Sequence, residues 1–395
     1  QVREGLERRE DQFDLLDVST ASLAGLGPHL EPLGGTLNVD LEWWAPVLFR
    51  SYAVYLGLIV ALPYRGGTTL FCYRKDLAEQ HGLGEPDTLP ELLSLARALH
   101  RPEKGFYGYA SAQENGLHIC LDFLPFLWGF DGAILTPQGQ AALQSPAAAE
   151  ALRFYLDLNE TAAPGVLDSR SYVAAGELLQ QERVGVIQIW SMAAYPIENT
   201  APHLAGKIGY TTRPGFPILG GGSLAINRYS SRKAEARHLL SWLVQPSEER
   251  RRARLGLIPT QHAILNDPQL HRELPYLQAA AEGIERARQR PSHPYWHRMQ
   301  DAIGDAVWLA RRGARPVESS LGKAQRELEE ILSVEEQERV VRALLKPPQD
   351  NSDPESIVVH ILKQTMEMAN AECGWIVAHF GCEPGWRFRE QTPGE

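Results

Sequence analysis

The chain has 395 residues, is 44% hydrophobic and 22% charged, and carries 39 Lys and Arg against 49 Asp and Glu, a net charge of -10. That length allows two or three domains, and the acidic balance speaks against nucleic acid as a partner, since phosphate binding needs a concentrated basic face. No stretch reaches the roughly 18 to 20 apolar residues of a membrane span, so none is expected.

The N-terminus, Gln1 to Glu10, is charged and lacks the apolar core of a signal peptide. Phe13 to Val18 reads as a short strand, followed by the turn Leu30-Glu31-Pro32-Leu33. Val54 to Leu62 reads as a buried strand, and Gly57 to Asp76 contains two strand-like runs separated by Pro63-Tyr64-Arg65-Gly66-Gly67. Thr88 caps a helix reaching Leu99, with Pro90 in its first turn. Ser145 and Pro146 open a second helix, Ala147 to Asn159, whose Ala151, Phe154, Tyr155 and Leu158 share one face. Glu177 to Met192 reads as a helix running into a short strand that ends at Trp190.

Gly220, Gly221 and Gly222 follow, and the lack of a Cβ lets the backbone there take positive φ and approach a ligand or a second segment closely. Ser223 to Ile226 reads as a short buried strand and Asn227 to Arg232 as a polar turn. From Lys233 the residues Ala236, Leu239, Leu240 and Leu243 recur at helical spacing, and Trp242 and Pro246 mark that helix's end. The basic run Arg250 to Arg254 reads as a solvated helix face. Pro291 to Leu332 gives two helices split by Arg312-Gly313; Trp308 there and Trp242 in the earlier helix read as mid-helix core residues. Lys346 to Pro354 is a Pro-, Asp- and Ser-containing linker, and Ile357 to Ala369 is amphipathic.

Catalytic signatures are missing: no GxSxG, HExxH, P-loop or GxGxxG occurs. Cys72, Cys120, Cys373 and Cys382 are far apart without a CxxC pair, and lone buried thiols are the default, with pairing of Cys72 and Cys120 left open. His293 and His297 stand four apart with no third ligand at an obvious spacing. The chain is therefore expected to have no catalytic residue, no metal and no cofactor. Aromatics are the stronger signal, because a sugar offers apolar C–H faces for stacking and a rim of hydroxyls for polar contacts.

Five segments, in order, resemble the bacterial extracellular solute-binding proteins, family 1, the sugar-binding type that serves ABC importers. They are Tyr64 with Cys72-Tyr73-Arg74-Lys75-Asp76-Leu77, where Asn is usual at Arg74; the Ser145-Pro146 helix; Glu177 to Met192; Gly221-Gly222 through Trp242-Leu243 to Gly256-Leu257-Ile258-Pro259; and the closing helical pair. The resemblance runs from about Phe13 to Leu332 and lacks the family's first βα unit, so the chain looks like a fragment that begins after it. It implies an α/β, two-lobe fold of the periplasmic-binding-protein type II, with hinge strands near Pro63 to Leu70 and Gly222 to Asn227.

The expected lobes are 1–66 with 226–275 and 67–225 with 276–332, then a linker over 333–356. The tail, 357–395, through Glu372 to Phe380, is similar to the start of a GAF-type sensor domain, a small partial α/β segment. By resemblance Trp44 and Tyr64 approach the cleft from one lobe and Trp128 and Trp190 from the other, each in a loop or strand end near Gly or Pro. Tyr295 and Trp296 would cap the cleft, Arg65 and Arg213 could hold a hydroxyl or carboxylate, and Gly221 and Gly222 would let the backbone pass near the ligand. Core packing or surface placement is the alternative for each side chain. The resemblance further implies a sugar ligand, an ABC permease as partner and an extracytoplasmic location. Two rivals stand beside it: a cytoplasmic ligand-sensing input fused to signalling domains through the GAF-like tail, and a glycan-active enzyme on a similar scaffold.

Overall fold

The computed structural model describes residues 2–34, 39–44, 46–164 and 172–344. The chain divides into two compact units, Gln1–Ile331 and Leu332–Glu395. Of the second unit only 332–344 is described, and it is helical, part of the helix Val317–Leu344. The linker expected over 333–356 is thus helical in its described part: no Gly or Pro interrupts the run before Pro347. The amphipathic segment from Ile357, the GAF-like tail, Cys373 and Cys382 lie outside the described residues.

Strands of the first unit are β1 (Leu15–Ser19), β2 (Val54–Tyr55), β3 (Leu58–Ile59), β4 (Ala61–Arg65), β5 (Thr69–Arg74), β6 (Tyr107–Ala110), β7 (Val184–Trp190), β8 (Ile208–Thr211) and β9 (Gly222–Ile226). One antiparallel sheet has the order β1-β9-β4. Its side chains alternate between two apolar layers, as the two-residue period of a strand requires. Leu16, Val18, Ala61 and Ala225 pack with Leu6, Leu23 and Leu30 on one face. Leu62, Leu224 and Ile226 pack with Leu33, Trp44, Ala236, Leu240 and Val244 on the other.

The second sheet is mixed, in the order β6-β7-β5-β8, with β6 parallel to β7 and the other pairs antiparallel. Leu70 and Cys72 of β5 face a core shared with Val184, Ile187 and Ile189 of β7, while Phe71 points to Phe126 on the opposite side. Helices cover this sheet: Leu89–Leu99 opens on a full capping box between Thr88 and Glu91, Leu117–Gly129 is buried along most of its length, and Pro146–Asn159 is capped by Ser145. Cys72 and Cys120 are free and buried.

Three sequence expectations are corrected here. Val54 to Leu62 is a tight β2–β3 hairpin leading into β4, because Leu56 at φ 47 and Gly57 at φ 80 reverse the chain and leave Leu56 84% exposed. Pro63, Tyr64 and Arg65 belong to β4 and do not separate the two runs; a β-bulge between Pro63 and Arg65 opposite Gly222 absorbs the proline. The return to the first sheet was expected at 226, whereas β9 pairs with β1 from Gly222 onward.

Candidate functional site

The chain crosses between the two sheets where β4 leads to β5, again where the segment after β8 leads to β9, and these crossings lie side by side. Gly66 N donates to Ile258 O at 2.8 Å, Gly220 N to Gly67 O at 2.9 Å, and Leu219 N to Arg288 O at 2.9 Å. The three glycines make this approach possible. Gly221 has φ +88, and a Cβ there would stand 2.3 Å from Arg65 O and 2.8 Å from the Tyr52 hydroxyl. A Cβ on Gly220 would stand 2.1 Å from the Trp190 ring, and one on Gly222 would stand 2.8 Å from Asp17 Oδ1. The close approach is thus to neighbouring chain segments and to the ring of Trp190.

Around these crossings the fold gathers a polar and aromatic set. Arg65 donates from Nε to Asp17 Oδ2 at 2.9 Å and from Nη2 to Asp17 Oδ1 at 3.1 Å, a two-pronged pair. Tyr52, on the helix Pro46–Ala53, donates to Gly220 O. Trp190 ends β7 and meets Tyr172 edge-on, with ring centroids 6.5 Å apart at 83°. The Tyr172 hydroxyl is buried, with the Trp190 side chain as its polar neighbour and no acceptor for its proton among the described residues. Arg290 lies two residues past the Arg288 contact, donates from Nη2 to Thr20 Oγ1 at 3.2 Å, and has its Nε sealed from solvent without a partner.

Burial raises Tyr52, Cys120 and Tyr172 well above their ordinary values, with the positive charge of Arg290 working against that rise in each. These groups are neutral at physiological pH. Burial also lowers Arg290.

The sequence-derived candidates separate into three groups. Arg65, Trp190, Gly221 and Gly222 come together at the crossings. Trp44, Tyr64, Trp128 and Arg213 do not join them. Trp44 is 3% exposed, packs in the first lobe's core and donates to Thr260 Oγ1 at 3.0 Å. Tyr64 packs against that same core, its ring under the Arg252 guanidinium at 4.2 Å. Trp128 lies in the last turn of the helix Leu117–Gly129, not in a loop, and is buried. Arg213 is exposed and pairs with Asp87 at 2.7 Å and Glu85 at 3.7 Å.

Tyr295 and Trp296 stand at the head of the helix Trp296–Arg311. Tyr295 is half-buried near His293 and Arg298, and Trp296 is buried with its Nε1 unpartnered. Trp242, expected in the core, is 49% exposed near the end of Lys233–Leu243. Among the described residues no three potential metal ligands cluster, and His293 and His297 gain no third. Sequence reasoning missed Tyr52, Tyr172 and Arg290. Each sits on or beside an element whose interior pattern gave no reason to single it out, and only the crossing of three distant segments joins them.

A family model for bacterial extracellular solute-binding proteins matches residues 8–249. The chain is 26% identical over 311 residues to a probable ABC transporter-binding protein of Deinococcus radiodurans, covering 74% of this chain and 73% of the relative. Among solved structures it is similar to maltose-bound MalE3 of T. maritima, with a TM-score of 0.77, 26% identity and 83% of this chain aligned to 87% of the other. It is also similar to an ABC transporter solute-binding protein of Agrobacterium radiobacter K84 in complex with ribitol, with a TM-score of 0.76, 26% identity, and the same two coverages. The two sheets with their covering helices are the lobes of the periplasmic-binding-protein type II fold. Matched over more than half its length, the chain belongs to the bacterial extracellular solute-binding proteins.

Proposed function

We propose that this protein binds a carbohydrate or polyol between its lobes and delivers it to an ABC permease on the extracytoplasmic side of a membrane, without chemical conversion. The observation that carries the reading is the group at the crossings: the edge-on pair Trp190 and Tyr172, with Tyr52, Arg65 and Arg290 around the Gly220–Gly222 backbone. An aromatic face beside hydrogen-bonding groups suits a sugar's C–H face and hydroxyl rim. Residues from both lobes contribute, so a solute held there favours a closed arrangement through contacts available only when both lobes reach it. The relatives that hold maltose and ribitol support the same class of solute.

The test is titration calorimetry with maltose, ribitol and mannitol, beside an assay for turnover of glycosides. Saturable binding with an unaltered ligand recovered afterwards supports the reading. Turnover of a glycoside, or no saturable binding to any sugar or polyol by folded protein, overturns it.

A further inference from the structure

The carbohydrate reading leaves one group in the site without a role. Arg290 carries a guanidinium that does not lose its proton in proteins. Its Nε is sealed from solvent and unpartnered, and its recorded side-chain hydrogen bond is to a neutral hydroxyl, that of Thr20. Among the described residues no carboxylate pairs with it. The contrast with its neighbour is direct: Arg65, in the same site, is held by both oxygens of Asp17. A charge held away from water is costly unless it is paired. The groups whose titration Arg290 influences, namely Tyr52, Cys120 and Tyr172, are neutral and supply no negative charge. The Arg65–Asp17 pair is itself neutral, and Asp301 and Asp122, which act on Cys120 and Tyr172, are not hydrogen-bonded to Arg290, so among the described residues its charge has no direct partner.

The segment leading into Arg290 is held by one backbone bond and one side-chain bond. Arg288 N donates to Pro217 O at 2.9 Å, and Gln289 Oε1 accepts from the Ser51 hydroxyl at 3.1 Å. The guanidinium is therefore placed by the crossing segment and by the helix Pro46–Ala53, between Thr20 of the first lobe and Cys120 and Tyr172 of the second. Near enough for its charge to act on the phenol stands the Tyr172 hydroxyl, a buried donor with no acceptor among the described residues. A planar guanidinium fork and a phenol in one neighbourhood match the oxygens of a carboxylate or a phosphate.

Resting on the carbohydrate reading, we propose that Arg290 is the anchor for an anionic group on the solute, so that the cleft selects acidic sugar derivatives over their neutral parents. Carboxylate and phosphate share the chemistry, and the test separates them. A melting-temperature screen followed by calorimetry compares glucose, mannitol and ribitol with gluconate and glucuronate on one arm and glucose 6-phosphate and glycerol 3-phosphate on the other.

The expected result is that a probe on one acidic arm binds at least about tenfold more tightly than the neutral probes, and that Arg290→Gln abolishes the preference, a loss of about ten- to a hundredfold for that probe. Arg290→Lys keeps the charge without the fork and falls between. The melting temperature of ligand-free Arg290→Gln is expected to stay level or rise, because an uncompensated charge has been removed. Neutral probes binding as well as acidic ones, with Arg290→Gln affecting both alike, would overturn the anchor and leave the carbohydrate reading standing. A lowered melting temperature in Arg290→Gln with probe affinities unchanged would make the residue a lobe-to-lobe tie. Folded protein that binds no probe on any arm would overturn both readings together.

Discussion

Asp122 is fully buried and Arg290 partly so, with its Nε sealed from solvent, and they differ in how completely their surroundings answer them. Asp122 accepts at Oδ1 from the Tyr109 hydroxyl at 3.0 Å, and at Oδ2 from the Tyr155 hydroxyl at 2.6 Å and Gln113 Nε2 at 2.8 Å. Gln188 Nε2 closes the set on its backbone oxygen at 3.1 Å. All of these partners belong to the second lobe and link β6, β7 and the two helices packed there. Arg290 takes one neutral partner from the first lobe and leaves its Nε without one among the described residues. A closed network inside one lobe ties elements together, since each member would strand the others if removed. An open one between lobes has its valences free for something that arrives later.

The largest expected effect tests the closed side. Asp122→Ala removes the acceptor of three buried donors, each costing about 1–3 kcal/mol when stranded, so a loss of about 3–5 kcal/mol in denaturant unfolding is expected. A loss below about 1 kcal/mol would mean the network is not a tie, and the contrast with Arg290 would fail.

The pH dependence sharpens the same side. Burial pushes the Asp122 carboxyl up from 3.8 to about 6, against the hydrogen bonds that favour its ionised form. Between those values the folded state keeps a proton that the unfolded chain has released, so this group's stabilisation is full below about pH 4, falls as pH rises and levels off above about pH 6. The span is about 3 kcal/mol for a shift of this size. Subtracting the unfolding curve of Asp122→Asn from that of the unaltered protein should leave this slope. A difference that is flat across the window would refute the assignment.

Trp190→Ala probes the open side, and here affinity carries the effect. Losing the stacking face should weaken sugar binding at least about tenfold, equal to about 1.4 kcal/mol, while the melting temperature of the free protein changes little. Calorimetry and a melting scan separate the outcomes: a large fall in melting temperature with affinity unchanged would place Trp190 in the core with Trp44.

How far the sequence was legible follows from the range of its signals. Periodicity and caps act within a few residues, so the helices opened by Thr88 and Ser145 and the strands β5, β7 and β9 could be read locally. The glycine triplet was legible as a place of close approach, but not what it approaches: the Trp190 ring lies 30 residues from Gly220 along the chain and Arg65 O far further from Gly221. Aromatic side chains were the hardest to place. Trp44 and Trp190 both follow short apolar or polar runs near a turn, and nothing local says that one meets Thr260 in a core while the other meets Gly220 at the crossings. Arg290 was invisible for the same reason, because an unpaired charge is a property of what is absent around it in space.

The smallest expected effect makes the sharpest comparison, because one chemical edit is applied on both sides. Tyr155 and Tyr172 are both enclosed tyrosines whose hydroxyls burial keeps protonated. The Tyr155 hydroxyl donates to Asp122, whereas that of Tyr172 has the Trp190 side chain beside it and donates to no acceptor among the described residues. Tyr155→Phe deletes a hydrogen bond to a charged acceptor and should cost about 1.5–3 kcal/mol of stability. Tyr172→Phe deletes at most the neutral contact with the Trp190 side chain, so its stability should fall by no more than about 1 kcal/mol. Its further cost appears with solute present, as a fall in affinity of about two- to tenfold, the worth of one ordinary hydrogen bond. Matched stability losses in the two variants would show that the Tyr172 hydroxyl is bonded in the free protein, and the distinction between a network that holds a lobe and one that awaits a ligand would no longer rest on it.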